Sequence, residues 1–549
     1  MTLVSTSPAN PHDELGRFHV ADEAALNEAV TRARAAFPAW RDAGPEARAA
    51  VLRRFRDLAA RAADDLAPRI AREVGKALWD ARSEAALLAP KVDVTLAEGM
   101  GFVTPIEAGP GAQARFQPRG VLAVLGPFNF PVHLPNGHIV PALATGNSVV
   151  FKPSELAPAA GQWMTDLWHE AGLPEGVLQI VHGGADTGRA LAAAPLDGIL
   201  FTGSWGAGRA LREATLDQPE KLLALEMGGK NAVIVLDDAD LELAVSETAL
   251  SICATTGQRC SCASRIFVAR EISDAFAERL ARVLAGIRIG PPLEPGAFMG
   301  PLVSDAAHAK VLRYRALAGN AGGQRIDIPQ PQLPAPYLGP GLVRFADARQ
   351  DHAYHREEIF GPEAGLYPVD DLEQAIAAVN DSDFGLVASV MTADRAAFEH
   401  CVGACARACS TGTAQRWAPA ASCPSAAAAA AATTGRRASP PASTAPHPSR
   451  CWKVRAASTR MRCRRGCRDR ERPAHPLDGG PGALQRARRR QPAHANALGH
   501  PASCGPRPSH RAVAAPARHP ARPGRARGGG APGPGAAGAG LPGQRGLPQ

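Results

Sequence analysis

The chain has 549 residues, long enough for two or three domains, and its 61 Lys and Arg outnumber 52 Asp and Glu for a net charge of +9. That basicity is confined to the tail: residues 1–400 hold 36 basic against 49 acidic side chains, and residues 401–549 hold 25 against 3. The first 400 residues therefore exclude the electrostatic footprint of a nucleic-acid binder, and with only Cys253, Cys260 and Cys262 they exclude a disulfide framework and fit a reducing compartment. No uncharged apolar run approaches the roughly 18 residues of a membrane span, and no leader with a charged start and an apolar core opens the chain. A cytoplasmic protein that needs neither membrane nor nucleic acid is expected.

Taken in chain order, residues 21–98 are rich in Ala, Leu, Arg and Glu. Leu26, Val30, Ala33 and Phe37 fall on one face of a predicted helix, and a second is predicted over Pro45–Val74. Strand-like runs follow at Val121–Leu125, Ser148–Phe151, Val177–Val181, Gly198–Phe201, Leu222–Leu225 and Ala232–Leu236. Helical stretches such as Glu155–Ala171 and Gly206–Leu216 separate several of them. Short apolar runs alternating with helices predict parallel βαβ units and an α/β fold whose sheet is covered on both faces. A second α/β block continues with helix Leu241–Thr255, strand Ile266–Val268, helix Ser273–Ala285, a segment around Arg356–Pro368 and helix Leu372–Asn380.

Several strand ends carry chemistry. Pro127-Phe128-Asn129-Phe130-Pro131 follows the first strand, and its prolines stiffen a turn that presents Asn129. A fixed amide donor suits an oxyanion hole, although the same loop would also serve as a plain turn. Phe151-Lys152-Pro153-Ser154-Glu155 closes the next strand, where Lys152 and Glu155 could meet ribose hydroxyls or simply face solvent. Gly203-Ser204-Trp205-Gly206-Ala207-Gly208 joins a strand to a helix, where glycines admit a close backbone and the helix start offers N–H groups to a pyrophosphate. It departs from the usual G-x-G-x-x-G spacing. Glu226 stands in Leu225-Glu226-Met227-Gly228-Gly229-Lys230, and Cys260 in the polar turn Gly257-Gln258-Arg259-Cys260-Ser261-Cys262. A cysteine with a carboxylate at hand is what covalent catalysis on a carbonyl carbon requires. A lone cysteine is otherwise a small hydrophobe, which is the reading for Cys253 in its apolar helix. His133 and His138 lack partners at metal-ligand spacing, so no metal is expected.

In this order, the Asn turn, Lys-Pro-Ser-Glu, Gly203–Gly208, Glu226, Cys260 and Glu357-Glu358-Ile359-Phe360-Gly361-Pro362 resemble the aldehyde dehydrogenase superfamily. The resemblance implies a Rossmann-type NAD-binding domain over residues 1–228 with an oligomerisation arm near 105–120, and a catalytic α/β domain over 229–403. It implies Cys260 as nucleophile, Glu226 as general base and Asn129 as oxyanion donor, the last shared with the backbone N–H of Cys260. Lys152, Glu155, Gly203, Ser204, Trp205, Gly206, Ala207, Gly208, Glu358 and Phe360 are implied to hold NAD. A thiolate would attack the aldehyde, hydride would pass to NAD, and water activated by Glu226 would cleave the thioester. Leu134–Pro141 and the doubled cysteine resemble the branch acting on a succinylated semialdehyde of arginine catabolism. Cys262 is implied to be structural, and Arg259 either reads a substrate carboxylate or holds its loop.

The resemblance covers residues 8–403. The strand pair with which the family ordinarily starts is expected to be missing, and the first Met to be misassigned. After Phe398 the chain contains no Phe, Tyr or Ile, so residues 404–549 read as a low-complexity, disordered basic tail. Codons compatible with Ala404–Thr413 can be read in a displaced frame as Arg-Val-Arg-Thr-Gly-Val-Leu-Asn-Trp-Asn, which matches the family. A change of frame beside Gly403 explains the tail better than an arm for nucleic acid. The homo-oligomer that the resemblance implies for the intact family would lose its joining strand, and the chain as written would have little activity.

Overall fold

A computed structural model describes residues 1–109, 112–347, 351–406 and 409–410. The chain opens with an antiparallel pair, β1 (Thr2–Ser7) and β2 (Asn10–His19). This corrects the expectation that such a pair is missing. Its polar composition hides the usual alternation, and the pair is anchored instead by Ser5 Oγ, which donates to the buried Glu73 carboxylate at 2.7 Å. Four helices follow: α1 (Glu23–Asp42), α2 (Pro45–Val74), α3 (Leu78–Ala86) and α4 (Leu88–Ala97). Proline at its first position starts α2 and left-handed Gly75 stops it. A small hairpin, β3 (Ile106–Gly109) and β4 (Ala112–Ala114), occupies the region expected to be an oligomerisation arm.

The first large sheet is wound from β5 (Val121–Leu125), α5 (His133–Ala144), β6 (Ser148–Lys152), α6 (Pro158–Glu170), β7 (Leu178–Ile180), α7 (Ala185–Ala193), β8 (Gly198–Gly203), α8 (Trp205–Ala214) and β9 (Leu222–Met227). Its five strands are parallel in the order β7-β6-β5-β8-β9. The winding reverses between β5 and β8, which opens a crevice at their C-terminal ends. Both faces are covered: Leu122 and Val124 of β5 join the core under α2 and α4–α6, while Val121, Ala123 and Leu125 join the core under α1, α7 and α8.

The second sheet follows with β10 (Asn231–Val235), α9 (Leu241–Cys253), β11 (Ala263–Ala269), α10 (Arg270–Ala285), α11 (Asp305–Asn320), β12 (Gln324–Ile326), β13 (Gly341–Arg344), α12 (Ala353–Arg356), β14 (Glu363–Val369), α13 (Leu372–Asn380), β15 (Ala388–Met391), α14 (Arg395–Ala404) and β16 (Cys409–Ser410). The order is β12-β13-β14-β11-β10-β15-β16, parallel except for the β12–β13 edge. Here α9 ends two residues earlier than its pattern predicts. Thr255 and Thr256 turn left-handed, with φ of 53° and 54°. The short strands β13 and β15 carry too little pattern to be predicted. No helix of the described residues is long and apolar enough to cross a membrane. The expected frame change beside Gly403 concerns a tail that lies almost wholly outside the described residues.

Candidate active site

Between β9 and β10 the chain passes from the C-terminal edge of one sheet to the N-terminal edge of the other through only Gly228, Gly229 and Lys230. The two edges must therefore face each other, and nearly every residue singled out above lies on one of them. The Asn129 turn follows β5, Lys152 ends β6, Gly203 ends β8 and Glu226 lies near the end of β9. Opposite them, Gly229 precedes β10, Cys260 precedes β11 and Glu358 precedes β14.

The nucleophile candidate sits in a tightly held turn. Gly257 has φ of 70°, and a Cβ there would come within 2.1 Å of the Gly361 carbonyl carbon, so glycine is required on both counts. Asn231 Nδ2 donates to the carbonyls of Cys260 (2.7 Å) and Cys262 (3.0 Å), and Gln258 Oε1 accepts from the Val303 N–H at 3.1 Å. Cys260 is partly buried, Cys253 and Cys262 fully so. Burial pushes the Cys260 thiol up to about 12, and the Glu358 carboxylate, Cys262 and Glu226 add to the effect.

Asn129 is buried, and its Nδ2 donates to the Gln258 carbonyl at 2.8 Å, two residues before Cys260. An amide carries two N–H bonds, so this contact fixes the group and leaves its second donor. Glu226 pairs in register with Thr202, whose hydroxyl shares a 3.0 Å hydrogen bond with His138 Nε2. Glu358 Oε1 accepts from the Gly229 N–H at 3.0 Å, and burial raises its pKa while that bond, Lys310 and Lys230 oppose the rise. Phe360, left-handed at φ 60°, meets Phe128 edge-on with centroids 5.8 Å apart. Asn129, Glu226, Cys260, Glu358 and Phe360 are thus brought together.

The remaining predicted residues gather around β6 and β8, the strands flanking β5. Lys152 is buried, and its ammonium donates to the Pro153 and Gly183 carbonyls at 2.9 and 2.8 Å. Glu155 is exposed, with a carboxylate oxygen 3.9 Å from Lys152 Nζ. Ser204 caps α8 by accepting from the Ala207 N–H at 3.3 Å, so the first-turn N–H groups of Trp205 and Gly206 have no preceding helical carbonyl. A Cβ on Gly206 would meet nothing within 4 Å, whereas on Gly208 it would come within 2.5 Å of Met227 Sδ. Gly206 therefore keeps the helix start open, and Gly208 packs α8 onto β9. Trp205 is half exposed. An open helix start after β8 and the Lys152 ammonium at the end of β6, on either side of β5, fit a pyrophosphate and ribose lying along one sheet edge.

Sequence reasoning missed Asp80, Glu84 and Lys76. Arg259 holds its own turn: its Nη2 bonds Asp80 Oδ1 at 2.6 Å and its Nε bonds Thr255 Oγ1 at 2.8 Å. The available signal was two acids, four residues apart, inside the apolar stripe of α3.

The aldehyde dehydrogenase family model matches residues 2–465. The chain belongs to the aldehyde dehydrogenase family. It is 42% identical over 405 residues to N-succinylglutamate 5-semialdehyde dehydrogenase of Chromobacterium violaceum, covering 72% of this chain and 82% of that one. It is 40% identical over 403 residues to N-succinylglutamate 5-semialdehyde dehydrogenase 1 of Caulobacter vibrioides, covering 72% and 84%. The crystal structure of PnpE in complex with nicotinamide adenine dinucleotide superposes with a TM-score of 0.72 at 30% identity, over 76% of this chain and 88% of that one. An indole-3-acetaldehyde dehydrogenase complexed with NAD+ gives 0.71 at 30% identity, over 75% and 85%. Aldehyde dehydrogenases oxidise aldehydes with NAD or NADP, and this chain has their α/β fold.

Proposed function

We propose that the chain oxidises N-succinyl-L-glutamate 5-semialdehyde to N-succinyl-L-glutamate with NAD, a step of arginine catabolism, through a thioester on Cys260. The observation that carries the chemistry is the meeting of Asn129, Cys260, Glu226 and Glu358 at two facing sheet edges. The substrate is supported by relatives about 40% identical that bear its name. Residues 1–228 hold the dinucleotide and residues 229–403 supply the nucleophile. Lys152, Glu155 and the Gly203–Gly208 turn hold the adenosine and pyrophosphate end, and Glu358 and Phe360 hold the nicotinamide end. Bound there, NAD supplies the hydride acceptor.

Cys260 Sγ forms a bond to the aldehyde carbon while its proton passes to a carboxylate. The oxyanion is held by the second Asn129 N–H and the Cys260 backbone N–H, and one such donor contributes about 3–4 kcal/mol in the transition state. Loss of the aldehyde hydrogen with its electron pair leaves the thioester. Glu226 then takes a proton from water, which adds to the thioester carbon and expels the Cys260 sulfur. With the reading frame restored beside Gly403, Cys260→Ala is expected to abolish NAD reduction by succinylglutamate semialdehyde. Retained turnover overturns the mechanism, and a kcat/KM at least about tenfold higher for an unsuccinylated semialdehyde overturns the substrate.

A further inference from the structure

Helix α3 carries two carboxylates one turn apart, Asp80 and Glu84, with 1% and 0% exposure. Acids occupy such positions only when paired, and residues four apart share one helix face. These two serve different loops. Asp80 Oδ2 accepts from Thr255 Oγ1 at 2.6 Å and Oδ1 from Arg259 Nη2 at 2.6 Å, which grips the turn immediately before Cys260. Glu84 Oε1 accepts the backbone N–H groups of Val132 and His133, each at 3.1 Å, which grips the turn just after Asn129. Its other oxygen pairs with Lys76 Nζ at 2.6 Å, and both side chains are wholly buried. Phe130, the neighbour of Asn129, ties the two grips together: Lys76 Nζ lies 3.8 Å and Arg259 Cζ 5.2 Å from its ring centroid.

We infer that α3 is a gauge for the site, and that Asp80 and Glu84 are positioning residues setting the separation between the Asn129 amide and Cys260 Sγ. The contacts of Asp80 and Glu84 run to the turns beside Cys260 and Asn129 and to Lys76. The inference rests on the proposed roles of Asn129 and Cys260. Its effect belongs to the two steps that raise an oxyanion, thioester formation and thioester hydrolysis, and not to NAD binding.

The test is stopped-flow NAD reduction with succinylglutamate semialdehyde by the full-length chain, its reading frame restored beside Gly403. Lys76→Met/Glu84→Leu removes both buried charges and the acceptor together. Its first-turnover rate is expected to fall about 10²-fold, the scale of a 1 Å misplacement, with hydrolysis slowed alongside it and NAD affinity within about twofold. Lys76→Met/Glu84→Gln restores a carbonyl acceptor and is expected to recover at least about tenfold of that loss. In an Asn129→Ala background the Leu double variant is expected to change the rate less than about threefold, because the donor it places is gone. A full loss in that background, or equal rates for the Gln and Leu variants, overturns the inference. If the Leu double variant does not bind NAD, Asp80→Asn decides alone: a first-turnover rate within about twofold of wild type overturns it. Full turnover by Asn129→Ala and Cys260→Ala would instead overturn the reading of the site, which keeps the two failures distinct.

Discussion

At Cys260 the surroundings work against the state that the chemistry needs. Attack on a carbonyl requires a thiolate, yet burial, reinforced by Glu358, Cys262 and Glu226, holds the thiol near 12. Almost none is ionised at neutral pH, so in the proposed reaction the proton leaves as the carbon–sulfur bond forms. The cofactor-free chain should therefore react with iodoacetamide about tenfold faster for each pH unit between 7 and 10; a plateau near pH 8, read by labelling Cys260, would contradict this. Lys230 carries the opposite stress. Its ammonium is buried 5.2 Å from the Tyr354 ring centroid, with no hydrogen-bond partner among the described residues. Burial first, then the Arg265 charge, lowers it to about 7. An unfolded lysine titrates near 10.4. Between these values the unfolded chain binds more protons, so this group adds stability as pH rises and withdraws it as pH falls toward 7. The denaturation midpoint of wild type relative to Lys230→Met should accordingly increase from pH 7 to pH 9, and an unchanged difference would refute the assignment.

Among the elements, the nucleophile turn concentrates the strain. Thr255, Thr256 and Phe360 are left-handed, each at a cost of about 1–3 kcal/mol, and Gly257 packs backbone to backbone on Gly361 and Pro362. Gly257→Ala adds a Cβ where neither φ nor space admits one. It should destabilise the chain by more than about 2 kcal/mol in a denaturant melt. The catalytic candidates were legible because their signals are local: Asn129, Lys152, Glu226, Cys260 and Glu358 each sit in a short motif beside a strand end. The two wound sheets were legible from apolar runs such as Val121–Leu125. Asp80 and Glu84 were not, because their partners are distant in sequence: Thr255 lies 175 residues from Asp80, and Val132 lies 48 from Glu84. Helical periodicity shows which face an acid occupies, not which loop it will hold. The β1–β2 pair escaped notice for a related reason, being secured by Ser5 on Glu73 and not by an apolar face.

For the molecule as a whole, the five-stranded sheet carries the proposed dinucleotide cradle and the proposed base Glu226, and the seven-stranded sheet carries the Cys260 thiol. Two glycines inserted between Gly228 and Gly229 should keep a cooperative thermal transition while abolishing turnover and weakening NAD binding, because Glu358 and Phe360 are proposed to hold the nicotinamide end from the other sheet. NAD titration and a melt beside the activity assay would check this, and a fully active insertion variant would refute it. Three residues can reach only about 10 Å. A tether that short keeps the thiol and its base at an effective concentration that no pair of separately folded proteins in solution could match. Neither Gly228 nor Gly229 leaves room for a Cβ, which would come within 2.1 Å of the Glu358 carboxylate and 2.9 Å of the Cys260 carbonyl oxygen, so the crossing is packed directly against the site.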